Sequence, residues 1–223
     1  MNTGKIKPNM NCLVAGSTGL VGSLLIEELL GSGSKVEALS RKELTSNDQL
    51  LNYHKINFED LSTYKDLFID ITDVFICLGT TIKKAGSQEA FYNVDVNYCH
   101  AIANAASEAS VPNLSIVTSI GADSNSKNFY LKCKGEIEDK ISDLKFDSIS
   151  IFRPGLLIGK REQKRTAEAL GQIIQPRFID PFLRGSSSKY RSVKGSDLAK
   201  SLNQFSGKKP GKNIYQYKDF IID

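Results

Sequence analysis

Short apolar runs alternate along the chain with stretches whose apolar residues recur every three or four positions, and the alternation holds from residue 11 to residue 152. The short runs fit strands buried on both faces; the periodic stretches fit helices with one buried side. The pattern predicts strands over 11–15 (NCLVA), 35–40 (KVEALS), 53–57 (YHKIN), 72–78 (TDVFICL), 113–119 (NLSIVTS) and 146–152 (FDSISIF). It predicts helices over 19–31, 60–69, 87–110 and 127–143, the last with Leu131, Ile137, Ile141 and Leu144 spaced for one face; the 41–52 connection reads as irregular. Right-handed crossovers and a reversal after the third strand give the order 3-2-1-4-5-6, a doubly wound parallel α/β sheet that binds ligands at the carboxyl ends of its strands. After Phe152 the alternation stops, and three of the six prolines follow at 154, 176 and 181. A strand near 190–193, a helix over 196–205 and a strand over 213–217 are expected beyond them. The expectation is one compact domain over residues 1–223, with 155–223 contributing a small substrate-side cover.

The first predicted strand runs into Gly16-Ser17-Thr18-Gly19-Leu20-Val21-Gly22 and on into the helical LLIEELL. In this G-x-x-G-x-x-G, Gly16 permits a tight turn, Gly19 lets the backbone approach a diphosphate, and Gly22 lets the helix pack close to the strand. Free N–H groups at the helix start meet the phosphates. Three glycines alone are weak evidence; strand, turn and helix in this order favour a dinucleotide site over an ordinary helix-start turn. A P-loop is excluded, because no Gly-Lys-Ser/Thr follows. At the end of the second strand a carboxylate would select NAD through the ribose 2′-hydroxyl, whereas cations would select a 2′-phosphate. The chain reads Ser40-Arg41-Lys42 there, so NADP(H) is expected, with Arg41 as the phosphate clamp and Lys42 as added charge. The alternative is two solvated cations opening a loop. Glu37 stands too early in the strand to supply the missing acid.

Tyr130 and Lys134 lie four apart on a predicted helix and therefore share a face. An ammonium beside a phenol favours phenolate and turns the hydroxyl into a usable general acid. The same lysine can hydrogen-bond a nicotinamide ribose. Chance alone supplies roughly one Y-x-x-x-K in a chain with 8 tyrosines. Tyr190 and Lys194 are indeed a second pair, but YRSVK reads as a strand, which separates the two groups by ~13 Å. The first pair gains meaning from its place after the fifth strand. Ser119, ending that strand, can donate to a substrate carbonyl that gains negative charge during hydride transfer; a serine capping the turn is the plainer alternative, and Thr118 is the fallback donor.

Composition adds boundaries. Hydrophobic residues make up 40% and charged residues 24% of 223, a globular balance that excludes disorder, a collagen-like repeat and a disulfide scaffold. No apolar run approaches the ~20 residues of a membrane span, and MNTGKIKPNM has no apolar signal-peptide centre, so a cytoplasmic protein is expected. Cysteines 12, 77, 99 and 133 form no CxxC, and only His54 and His100 could add imidazole ligands, so no metal site is expected. The net charge of +4 does not call for nucleic acid. Nine basic residues against three acidic ones between Lys160 and Gly195 form either a solvated loop or a basic rim for an anionic small-molecule substrate. The helices near 87–110 and 127–143 can pair between subunits or cover a monomer's sheet, leaving monomer and homodimer open.

Together these residues resemble the short-chain dehydrogenase/reductase superfamily, a Rossmann group, and specifically its compact atypical members. The segments Cys77-Leu78-Gly79-Thr80-Thr81, Ser119-Ile120-Gly121-Ala122-Asp123, Phe129 to Glu136 and Phe152-Arg153-Pro154-Gly155 resemble the Tat-interacting-protein oxidoreductase branch. By that resemblance Leu78, Gly79 and Thr80 line the cofactor, Asn57 and Phe58 approach the adenine, and Pro154, Gly155 and Leu157 flank the nicotinamide. Asn93 is the nearest match to the helix asparagine that holds a relay water. The expected function is an NADP(H)-dependent oxidoreductase acting on a carbonyl or alcohol. Alternatives are an NADP(H)-binding regulatory or sensor protein without significant turnover, and an epimerase or dehydratase that uses its cofactor transiently.

Overall fold

The first strand shows how the apolar runs are used. β1 (Asn11–Ala15) sends Cys12 and Val14 to one face of a sheet and Leu13 and Ala15 to the other, and all four are fully buried. A sheet with both faces dry needs helices on both sides. The computed structural model describes residues 10–159, 183 and 185–221. In chain order the strands that follow are β2 (Lys35–Ser40), β3 (Leu51–Lys55), β4 (Asp73–Ile76), β5 (Asn113–Val117), β6 (Ser148–Phe152), β7 (Leu157–Ile158), β8 (Val193–Lys194) and β9 (Gly211–Tyr215). Seven of them form one all-parallel sheet in the order β3-β2-β1-β4-β5-β6-β9, while β7 and β8 make a separate parallel pair. The order expected for the first six strands is the observed one.

Helices α1 (Leu20–Gly31), α2 (Ile82–Ala85), α3 (Gln88–Tyr92), α4 (Cys99–Glu108), α5 (Phe129–Ser142) and α6 (Gly195–Phe205) complete the layers. Leu25 and Leu29 of α1 and Leu198 and Leu202 of α6 meet Val14, Phe75 and Phe152 on one face of the sheet. Ile102 and Ala106 of α4 and Ile137 and Ile141 of α5 meet Leu13, Ile76 and Ile116 on the other.

Several elements depart from the periodicity. The third strand starts at Leu51 because that side chain is buried opposite Val36, while Ile56, also buried, lies past the last paired residue. The 60–69 stretch is a 3-10 segment, Leu61–Phe68, kinked at Tyr64. The long helix over 87–110 is α3 and α4 joined by a π-helical turn, Asn93–Tyr98. β5 stops at Val117, and Ser119 stands beyond it. The strand expected near 190–193 shrinks to β8, because Tyr190 closes a 3-10 turn over Gly185–Tyr190. Within 155–223, α6 and β9 join the layers of the sheet. Residues 160–182 and 184, with most of the basic stretch, lie outside the described residues.

Candidate functional site

The turn after β1 is built on two close approaches. Gly16 has φ +86°, and a Cβ there would stand 2.6 Å from the Cys77 carbonyl; one on Gly22 would stand 2.2 Å from the Gly16 oxygen. Glycine at both places lets α1 dock on the turn while the turn touches the end of β4. Ser17 is buried and donates to the Leu39 carbonyl at 2.8 Å, which ties the loop to β2. Thr18 and Gly19 are exposed, Leu20 is half-buried and Val21 buried. The N-cap of α1 is Gly19, with no side-chain cap bond and no acid in the first turn. Its free N–H groups and positive dipole end therefore face the exposed loop uncompensated, an arrangement that fits the diphosphate of a dinucleotide.

At the end of β2, Arg41 and Lys42 are exposed, and the buried Ser40 hydroxyl accepts from the Lys42 N–H at 3.1 Å. Glu37 is engaged across the strands: it accepts from Asn52 at 3.1 Å and pairs with His54. Of the two residues expected near an adenine, Asn57 is exposed, while Phe58 is buried with its ring stacked on Tyr98 at 5.6 Å. The turn after β4 leaves Leu78 and Thr80 half-buried and Gly79 exposed.

Asn128 caps α5 by accepting from the Leu131 N–H at 3.1 Å, which starts the helix one residue before the tyrosine pair. Tyr130 is 37% exposed and packs on Phe91, ring centroids 6.0 Å apart. Lys134, one turn on, is 4% exposed and its Nζ lies 6.0 Å from the Tyr130 ring centroid. The ammonium forms a 2.7 Å ion pair with Asp95 of the π turn. Burial, the largest influence, disfavours the charged lysine, but Asp95, then Tyr130 and Cys99, outweigh it and hold the Lys134 pKa above its usual value. The second Asp95 oxygen accepts the Thr80 N–H at 2.9 Å. One carboxylate thus joins α5 to the turn after β4.

Ser119 is half-buried and donates to the Ile120 carbonyl at 3.3 Å. Thr118 fails as the fallback donor: it is buried and donates to Glu138 at 2.5 Å. Glu138, itself 2% exposed, also receives the Arg153 guanidinium in a two-pronged ion pair. Pro154 is buried and its carbonyl accepts the Ile120 N–H at 2.9 Å, which sets the Ser119 loop beside the chain leaving β6; Gly155 and Leu157 are half-buried, Leu157 on β7. Asn93 is half-buried and accepts from Asn97 at 2.7 Å; from its turn Asp95 is the side chain that meets Lys134. Asp95 and Glu138 escaped the sequence reading. Their signal is a charged residue at a core spacing: Asp95 between Phe91 and Cys99, Glu138 between Ile137 and Ile141.

The chain is similar to known proteins in family and in fold. The pattern of the family described as NAD(P)H-binding matches residues 16–175. HTATIP2 of Rattus norvegicus is 36% identical over 169 residues, covering 74% of this chain and 69% of that protein. Mitochondrial FMP52 of Candida albicans is 30% identical over 206 residues, covering 89% of each. The FMP52 relatives from Debaryomyces hansenii and Aspergillus niger are mitochondrial as well, and this overturns the expectation of a cytoplasmic protein. In fold, the chain is similar to UDP-glucose 4-epimerase of Thermus thermophilus in complex with NAD, with TM-score 0.71, 16% identity and 93% and 78% of the two chains covered. It is similar also to Bordetella bronchiseptica WbmH in complex with NAD+, with TM-score 0.67, 14% identity and 95% and 77% covered. The chain belongs to the NAD(P)H-binding family of Rossmann-type domains, with HTATIP2 and FMP52 as its homologues.

Proposed function

We propose that this protein is an NADP(H)-dependent oxidoreductase of the short-chain dehydrogenase type that acts on a small carbonyl or alcohol substrate. The observation that carries the reading is the α5 couple: a buried ammonium 6.0 Å from the ring of a solvent-accessible phenol. A bound nicotinamide supplies or accepts the hydride. In the reducing direction the Tyr130 hydroxyl gives its proton to the substrate oxygen, and Lys134 stabilises the phenolate that remains. Because Tyr130 is open to solvent, water restores the proton. Ser119, turned from its long bond to Ile120, donates to the same oxygen as charge builds on it. The exposed Arg41 and Lys42, with Glu37 spent on His54 and Asn52, support a 2′-phosphate over a bare ribose.

The test is NADPH oxidation against a panel of aldehydes, ketones and quinones, with Tyr130→Phe beside the wild type. Loss of at least a hundredfold in kcat is expected; turnover that survives unaltered removes Tyr130 as the acid. One observation favours a second reading, a cofactor-binding regulatory module: Lys134 is already matched by Asp95 and Ser119 by Ile120. Tight NADPH binding with no panel member reduced would select it.

A further inference from the structure

The carboxylate of Asp95 touches both Lys134 on α5 and the turn after β4. It lies 1% exposed within the π turn, with one oxygen 2.7 Å from the Lys134 ammonium and the other accepting the Thr80 N–H at 2.9 Å. A π turn inside a helix often marks a functional site, and here the two consecutive residues Asp95 and Val96 are both buried in it. A Cβ on Gly79 would stand 3.7 Å from Asp95, so the carboxylate lies directly beneath the Gly79-Thr80 turn. Burying an ammonium and a carboxylate is costly unless they are paired; here the two charges pair at 2.7 Å, and the other Asp95 oxygen accepts the Thr80 N–H.

We propose that Asp95 is a positioning residue that holds the Lys134 ammonium charged and aimed along α5 at Tyr130, and that locks the Thr80 peptide to it, so that the acid and the cofactor-side turn move as one unit. The inference rests on the reading of Tyr130 and Lys134 as the reacting couple. Among the described residues the groups that face Lys134 are Tyr130 and Cys133 on its own helix, Asp95 on the π turn and Cys99 on α4. Asp95 is the carboxylate of that set, so its removal leaves burial to act on the ammonium without a countercharge.

The experiment compares wild type, Asp95→Asn and Asp95→Ala as full chains. Carbon-13 NMR of the lysine Cε, with the Lys134 signal identified by its absence in Lys134→Arg, follows the charge on Lys134 without any need for turnover. In Asp95→Asn the titration midpoint is expected to fall by at least one pH unit; an unmoved midpoint overturns the proposal. In the panel assay kcat falls at least tenfold and its alkaline limb moves to lower pH. The NADPH KM changes less than threefold, because the amide oxygen still accepts from Thr80. Asp95→Ala also loses that bond, so the Thr80 amide exchanges its hydrogen at least tenfold faster and the NADPH KM rises. A lowered midpoint with kcat unchanged also overturns the positioning role. If the wild type reduces no panel member, the oxidoreductase reading fails by itself, and the midpoint and exchange arms still decide the pairing. Should Asp95→Asn be insoluble, Asp95→Glu serves: the charge stays and shifts by one methylene, so a retained midpoint with at least tenfold lower kcat supports the role and a wild-type kcat overturns it.

Discussion

Under the proposed function, coenzyme choice turns on Arg41. It leaves β2 exposed beside Lys42, and the nearest strand carboxylate, Glu37, is committed to His54 and Asn52. A guanidinium grips a phosphate with two parallel bonds, and a ribose hydroxyl offers it far less. Arg41→Ala is therefore expected to weaken NADPH at least tenfold, about 1.4 kcal/mol, and NADH less than threefold; fluorescence titration with each coenzyme measures both, and equal losses remove the clamp. This corner is legible in the sequence because Ser40-Arg41-Lys42 directly follows an apolar run whose end is easy to place. Tyr130 and Lys134 are legible for a similar reason, since a four-residue spacing on a helix is local information. Asp95 is not, because its partners Lys134 and Thr80 lie on other elements. A lone acid on a helix face reads as solvated until the fold shows that the face is buried.

At the scale of elements, α5 owes its placement to more than its apolar stripe. Ile137 and Ile141 bury it, but Glu138 sets its register by accepting from Thr118 beyond β5 and pairing with Arg153 beyond β6. Removing one member of a buried pair leaves the other's charge without a counterion, which costs about 3 kcal/mol. Glu138→Gln should destabilise the protein by about that much in urea unfolding, and it should lower kcat further than it weakens NADPH, because the helix that carries Tyr130 loses its anchor while the glycine turn is untouched. A change within 0.5 kcal/mol, the range of an ordinary surface substitution, would show that the apolar contacts suffice. Periodicity finds α5 well, since one regular helix spans the whole pattern. It misses the π turn before α4 and the kink at Tyr64, because apolar spacing tolerates one extra or tighter turn without changing which residues are buried.

Across the whole molecule, the titrating groups set a window of stability. Cys99, 2% exposed, is pushed from the ordinary 9.0 to about 12, by burial first, with Lys134 opposing and Asp95 reinforcing. Tyr92 rises to about 12 through burial and then its bond to Glu136, and Lys134 is raised as well. A group whose pKa is higher in the folded chain contributes stability below its unfolded value and loses it as pH climbs through the folded one. All three therefore act in the same direction above about pH 9. His100 moves the other way: burial and then Lys140 lower it from 6.5, so its contribution is present above 6.5 and lost as pH falls. The unfolding midpoint temperature should be flat between about pH 6.5 and 9 and decline on both sides. Replacing Cys99 with alanine isolates its share of the alkaline limb, because a thiol ionises before a phenol or an ammonium in the unfolded chain, while Cys77 and Cys133, also raised by burial, keep theirs. The variant should start lower, having lost a buried side chain, yet hold its midpoint further above pH 9 before it falls. Parallel curves for the two proteins would acquit this thiol and leave the alkaline limb to Lys134, Tyr92 and the other groups raised by burial, Cys77, Cys133, Tyr98 and Tyr215.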